Sequence, residues 1–104
     1  MDNKALGITP ALIHKLSGEL ETWKITRLDF YSKSSKIKKI EYLDDCTNLQ
    51  ELNLSYNYIT KIENLHRLHK LKTLDLSENS IKKLENLNFL VALEHLNLAG
   101  NLLK

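Results

Sequence analysis

Histidine and cysteine are the side chains through which this chain could bind a metal ion. His66 and His69 are three residues apart, but the only soft ligand in the sequence is Cys46. Two histidines and one distant thiol fall short of the ligand sets of zinc sites, which need three or four protein ligands in a fixed geometry. The sequence therefore predicts neither a bound metal nor a cofactor.

The remaining histidines, His14 and His95, are the candidates for a general base. No recognisable motif places a serine or cysteine nucleophile beside either of them. The glycines Gly7, Gly18 and Gly100 are scattered, so they form no phosphate-binding loop. We therefore expect no catalytic site, and the chain is predicted not to be an enzyme.

Composition narrows the class of partner. The 104 residues carry 15 Lys and Arg against 13 Asp and Glu, a net charge of +2, which gives no sustained basic field for nucleic acid. No apolar run reaches the roughly 18 to 20 residues that cross a bilayer, and the N-terminus lacks a signal-peptide core. A single cysteine suits a reducing compartment. We expect a cytoplasmic protein with neither nucleic acid nor membrane as partner.

The second half of the sequence repeats itself every 22 residues. The repeated positions are Leu49, Leu52, Leu54, Asn57 and Ile59, then Leu71, Leu74, Leu76, Asn79 and Ile81, and finally Leu93, Leu96, Leu98, Asn101 and Leu103. A degenerate copy with two extra residues and no asparagine precedes them and contains Ile25, Leu28 and Phe30. A fixed period of this size indicates a solenoid of stacked coils.

Each repeat has a physical interpretation. Alternate leucines such as Leu52 and Leu54 belong on one face of a short strand, and an inward asparagine such as Asn57 can bond backbone groups of adjacent coils. The spacing of about three residues after Ile59 predicts 3₁₀ or helical turns on the convex side. The predicted fold is an α/β solenoid, a right-handed curved superhelix with a parallel sheet of about four strands on its concave side.

The segment before the repeats is predicted to be a capping helix. Thr9 suits the N-cap and Pro10 the first helical position. Leu12, Ile13 and Leu16 would then form an apolar face that covers the first coil.

These elements predict two regions. Residues 1–24 hold the capping helix and its lead-in, and residues 25–104 hold one degenerate, two full and one truncated repeat. The last coil has no cap over Leu96, Leu98 and Leu103. We expect the repeats to continue beyond the chain, or this coil to be covered by self-association.

The motif at residues 49–57 resembles the 22-residue leucine-rich-repeat class typified by a regulatory subunit of protein phosphatase 1. Residues 8–16, the long first loop and residues 96–101 resemble the N-terminal repeat domain of centriolin-like proteins. That resemblance implies a setting at the centrosome, the cilium or elsewhere on the cytoskeleton.

Side chains that lie between the buried leucines of each strand form the candidate protein-binding surface on the concave face. They are Arg27, Asp29, Tyr31, Glu51, Asn53, Ser55, Tyr56, Thr73, Asp75, Ser77, Glu78, His95 and Asn97. The set is polar and mildly acidic, and Tyr31 and Tyr56 are suitable anchors because tyrosine is enriched in binding hot spots. We predict a non-catalytic scaffold or adaptor that binds a protein through this face.

Two alternatives keep the same fold. A phosphatase-regulatory subunit would use a longer array of repeats with aromatic and acidic residues along the concave face. A ribonucleoprotein subunit would need a basic face, whereas the predicted surface has four carboxylates against Arg27 alone. The lysines of residues 33–39 offer a different site for an acidic partner.

Overall fold

The structure is a computed structural model that describes residues 7–31 and 37–104. Within those residues the elements are helix α1 (Pro10–Ser17), a 3₁₀ helix (Thr22–Lys24) and strands β1 (Arg27–Asp29), β2 (Glu51–Asn53), β3 (Thr73–Asp75) and β4 (His95–Asn97). The strands form one parallel sheet in the order β1-β2-β3-β4. No helix in this part of the chain is long and apolar enough to span a bilayer.

The strands pair in the register that the repeat predicts. Leu28 lies opposite Leu52, Leu52 opposite Leu74, and Leu74 opposite Leu96. The first step covers 24 residues and the next two cover 22, so the degenerate first copy with its two extra residues is aligned as predicted. A constant register keeps every strand leucine on the core side of the sheet, because side chains alternate between the two faces.

The core is a continuous stack of aliphatic side chains that runs through all the coils. In the coil between β2 and β3, Leu54, Ile59, Ile62, Leu65 and Leu68 are all fully buried. Each such side chain contributes roughly 1.5–3 kcal/mol through the apolar surface that it removes from water. Cys46 occupies the equivalent of Leu68 in the preceding coil and is also fully buried.

Asparagines connect the coils, as the sequence predicts. The Asn79 side-chain amide donates to the carbonyl of Leu54 in the preceding coil at 3.0 Å, and its oxygen accepts from the Ile59 N–H at 3.0 Å. Asn57 and Asn101 make equivalent bonds to their own preceding coils. These bonds satisfy backbone groups that would otherwise be buried without partners.

A second asparagine series, which the sequence analysis did not identify, lies on the side opposite the sheet. The Asn64 amide donates to the Ile40 carbonyl and the Asn86 amide to the Ile62 carbonyl, both at 2.7 Å. Both asparagines adopt left-handed backbone conformations, with φ of 61° and 60°. Asparagine tolerates this region better than most residues.

The side opposite the sheet is made of isolated turns with the i→i+3 hydrogen bond of a 3₁₀ turn. The predicted turns are therefore present, but the helical alternative is wrong for the described residues. The Leu68 N–H bonds the Leu65 carbonyl and the Leu71 N–H bonds the Leu68 carbonyl, each at 3.1 Å. Leu68 ends one turn and begins the next. The N–H groups of the exposed residues between the leucines make no i→i+3 bond, so the turns do not extend into a continuous helix. In the described residues the 3₁₀ helix lies before β1 instead.

Helix α1 begins as predicted. The Thr9 hydroxyl accepts from the Leu12 N–H at 3.1 Å, and Gly18 closes the helix with φ of 71°. Ile13 is buried in the core as predicted. Leu16 is 46% exposed, so the prediction that it packs on the first coil is wrong. The helix packs beside β1, and Leu16 in its last turn lines an open groove over the sheet.

Candidate functional site

The candidate site is the strand face, which we define as the outer surface of the sheet together with the residues that directly follow each strand. Two rows of side chains cross it in register. The first row is Arg27, Glu51, Thr73 and His95, and the second is Asp29, Asn53, Asp75 and Asn97. The sheet thus brings together eight of the thirteen predicted site residues in one regular array.

One ion pair lies in the first row. Arg27 Nε is 3.5 Å from Glu51 Oε1 across the β1–β2 pair. Both side chains are more than half exposed, so solvent screens their attraction and the pair contributes at most about 1 kcal/mol to stability. Its main consequence is that Arg27 offsets the charge of Glu51, which leaves the second row as the acidic part of the face.

The second row is held in place by the backbone that follows each strand. Oδ1 of Asp29 accepts from the Tyr31 N–H, and Oδ1 of Asp75 accepts from the Ser77 N–H, both at 2.9 Å. Asn53 accepts from the Ser55 N–H in the same way at 2.9 Å. Each aspartate therefore uses one oxygen to fix its orientation and keeps a second oxygen for another donor. The signal for this row in the sequence is Asp or Asn at the third strand position of every coil.

Two predicted tyrosine anchors contact each other. The rings of Tyr31 and Tyr56 are 5.4 Å apart between centroids at 69°, an edge-to-face arrangement. Both rings remain about half exposed, so the pair offers apolar area at the rim of the strand face. Glu78 is also exposed at this rim, with its carboxylate against the Cα of Gly100.

Ser55 and Ser77 are corrections to the predicted surface, because both are buried. They lie two residues after their strands, where the chain has turned toward the core and the neighbouring coils cover it. The Ser77 hydroxyl donates to Asp75 Oδ1 at 2.6 Å. These serines can position the second row, but they cannot contact a partner directly.

An open groove of about 500 Å³ runs over β1, β2 and β3. Its lining is Leu16, Arg27, Leu28, Asp29, Glu51, Leu52, Asn53, Thr73 and Asp75. A second opening of about 450 Å³ shares Thr73 and Asp75 and extends to His95 over β4. Leu16 was not among the predicted site residues, since its place on the apolar stripe of α1 suggested burial.

The other chemically interesting side chains are placed apart from one another. Within residues 7–31 and 37–104, no three His, Cys, Asp or Glu side chains are grouped so that they could hold a metal ion. Burial, with a smaller contribution from the neighbouring Asp45 carboxylate, raises the pKa of the Cys46 thiol to about 11. The thiol is therefore protonated at neutral pH and is a poor nucleophile. His66 packs edge-to-face on Phe89, with ring centroids 6.3 Å apart.

Comparison with known proteins agrees with this architecture. The family described as Leucine Rich repeats (2 copies) matches residues 47–88 and 69–104, which together are more than half of the chain. No individual curated protein matches the chain. Domains of this family generally mediate protein–protein interaction and are typically non-catalytic. With its matched repeats, its parallel sheet and its asparagine series, the chain belongs to the leucine-rich-repeat family.

Proposed function

We propose that this protein is a non-catalytic scaffold that binds a protein partner through the strand face, as the concave side of a right-handed curved solenoid. The observation that carries the proposal is the groove, where rows of polar side chains from three strands and Leu16 of α1 line one open surface. The strand register fixes the spacing of these side chains before a partner arrives, which lowers the entropy cost of binding.

The exposed tyrosines support the same surface. Tyr31 and Tyr56 add a rigid aromatic pair at its rim, and aromatic side chains are enriched among the residues that dominate binding energy. Ser55 and Ser77 act in this proposal only by holding Asn53 and Asp75 in position.

The test compares two triple variants of the full chain with matched chemistry. The strand-face variant combines Tyr56→Ala, Asp75→Asn and His95→Ala. The control variant on the opposite side combines Tyr42→Ala, Glu63→Gln and His69→Ala. Partners are recovered from the source cells by proximity labelling and quantified by mass spectrometry, and circular dichroism checks that both variants are folded.

We expect a discrete set of partners to fall at least about tenfold with the strand-face variant, since hot-spot losses of this kind exceed roughly 1.4 kcal/mol. The control variant should retain them. Loss of the same partners with the control variant alone would overturn the proposal and move the site to the opposite side of the solenoid.

The class of leucine-rich repeat and the location in the cell are also part of the proposal. The repeat length of 22 residues and the N-terminal helix support assignment to the class typified by the phosphatase-1 regulatory subunit, with a capping region at 1–24 and repeats at 25–104. We further propose a cytoplasmic protein at the centrosome, cilium or cytoskeleton, on the resemblance to centriolin-like domains alone. A tagged chain should then colocalise with a centriole marker, and a uniform distribution would count against this setting.

Self-association through the last coil is a second proposal, and it rests on exposed leucines. Leu96 is 37% exposed, whereas its equivalent Leu74 is 1% exposed. Leu84 is 60% exposed, whereas its equivalent Ile62 is fully buried. Burying these side chains against a second copy would be favourable. Sedimentation at increasing protein concentration should show a dimer that Leu96→Glu abolishes, and a monomer at all concentrations would reject it.

A further inference from the structure

The groove on the strand face has a distinct apolar end. Leu16 lies in the last turn of α1, which packs beside β1, and it lines the groove next to Asp29 and Arg27. Thr9 caps the start of this helix, and the left-handed Gly18 fixes its end, so the position of Leu16 is well determined. An exposed leucine at this point offers apolar area to whatever lies in the groove.

The floor of the groove is polar and acidic rather than apolar. Glu51 is offset by Arg27, but Asp29 and Asp75 have no cation within ion-pair distance among the described residues. Asn53 lies between them in register, so the two carboxylates are separated by two strand spacings, or roughly 10 Å. The groove therefore presents an apolar contact at one end, followed by two acidic positions about 10 Å apart.

We propose that this groove takes a segment of a partner protein in the polyproline II conformation that carries a leucine-sized apolar residue and two lysine or arginine residues three positions apart. A polyproline II helix rises about 3.1 Å per residue and completes a turn every three residues. Residues three apart in it point the same way and lie roughly 9 Å apart, close to the spacing of the two carboxylates. The apolar residue packs on Leu16 and the two cations contact Asp29 and Asp75. This inference rests on the proposed function, which it makes specific to a basic partner.

Charge complementarity selects this occupant over an acidic one. The groove lining holds three carboxylates against one guanidinium. An acidic segment would meet like charges at both aspartates, which disfavours its approach. Because the carboxylates are reachable by solvent, their attraction is screened by salt, and binding should weaken as ionic strength rises.

The experiment measures fluorescence anisotropy of labelled peptides of about ten residues with the full chain. The test peptide contains one leucine and two lysines three positions apart, in a background of proline and serine that favours polyproline II. Two comparison peptides replace both lysines by glutamine or by glutamate. Each peptide is titrated at low ionic strength and again near physiological salt.

Three variants assign the contacts. The double change Asp29→Asn and Asp75→Asn removes the charges but keeps the Oδ1 acceptors for Tyr31 and Ser77. Its control is Glu63→Gln with Glu85→Gln on the opposite side of the solenoid. Leu16→Ser removes the apolar contact, and Leu20→Ser at another exposed leucine is its control.

We expect the lysine peptide to bind at least about fivefold more tightly than the glutamine peptide at low salt. This ratio corresponds to two exposed ion pairs that each contribute about 0.5 kcal/mol. The double aspartate variant should remove this preference, and Leu16→Ser should weaken binding about threefold or more. Both controls should change affinity by less than about twofold.

Equal binding of the lysine and glutamate peptides, or no detectable binding of the lysine peptide, would overturn the inference. Its failure is distinguishable from failure of the proposed function. If cellular partners still depend on Tyr56, Asp75 and His95, the strand face remains the binding surface and only the basic character of the partner is wrong. If the cellular partners do not depend on these residues, the proposed function and this inference both fail.

Discussion

Asn79 shows how much one side chain can contribute in a solenoid. It is buried, and its amide and oxygen reach the backbone of two coils. We predict that Asn79→Ala lowers the free energy of unfolding by about 2–3 kcal/mol, because the buried Ile59 N–H loses its acceptor and the Leu54 carbonyl keeps only its bond from Asn57. Urea denaturation measures this directly.

The matched control for this prediction is Asn101→Ala. Asn101 makes equivalent bonds to Ile81 and Leu76, but its position is only partly buried, so water can replace the amide. We expect it to cost about 1 kcal/mol. Equal losses for the two variants would show that burial does not determine the contribution of the asparagine series.

Cys46 gives a prediction about pH. The folded chain raises the pKa of its thiol from 9.0 to about 11, so the folded protein keeps this proton at a pH where the unfolded chain loses it. The stabilisation is complete below pH 9 and is lost as pH rises toward 11, by about 3 kcal/mol in total. Guanidinium denaturation between pH 8 and 10.5 should show this decline.

Cys46→Ala separates the thiol from the lysines and tyrosines that also titrate in this range. The variant is less stable at pH 8 because it leaves a cavity, but its stability should fall less steeply with pH than that of the wild type. Parallel slopes would mean that the pKa of the thiol is not raised by folding.

At the scale of the element, each coil repeats a left-handed backbone position on the side opposite the sheet. Asn64 and Asn86 occupy it in two coils, and Tyr42 occupies it in the first, with φ of 63°. A tyrosine is strained in this conformation, by roughly 1 kcal/mol relative to glycine. We predict that Tyr42→Gly raises the free energy of unfolding by about 0.5–1 kcal/mol, measured by thermal and urea denaturation.

Tyr58→Gly is the control for this change. Tyr58 is about as exposed as Tyr42 but has no left-handed backbone, and its N–H bonds the Ile37 carbonyl at 2.8 Å. Glycine there should lower stability by about 0.5–1 kcal/mol, because it adds conformational freedom to the unfolded chain. If both variants are destabilised, the Tyr42 backbone stores no strain.

At the scale of the whole molecule, the contribution of a leucine depends on how many coils surround it. Leu74 and Leu96 occupy the same repeat position in adjacent strands, yet only Leu74 is fully buried. We predict that Leu74→Ala costs about 3–4 kcal/mol and Leu96→Ala about 1 kcal/mol, because a cavity forms only where coils lie on both sides. Differential scanning calorimetry of the two variants makes the comparison.

The outcome that would contradict this expectation is a similar loss for both leucines. Such a result would mean that β4 is as well covered in solution as β3. Repeating the measurement at several protein concentrations would then identify self-association as the cover, since stability that depends on association rises with concentration.

The repeat pattern was sufficient to predict the strands, their register and the inward asparagines. Leu52 and Leu74 had to pair because the 22-residue period repeats both the apolar pattern and the polar residue that closes each strand. Asn57 and Asn79 had to turn inward because a buried backbone between coils needs hydrogen-bond partners. These features are local and repeated, so each copy supports the interpretation of the next.

Which of these residues a partner can reach depends on how the coils and α1 pack together. Leu16 fits the apolar stripe of its helix, but its exposure depends on how α1 packs against β1. Ser55 follows a strand, as the exposed Tyr56 does, but adjacent coils bury it. The edge-to-face contact of Tyr31 with Tyr56 joins residues of two coils. Burial and contact across coils depend on where neighbouring elements lie, and a pattern within one coil does not contain that information.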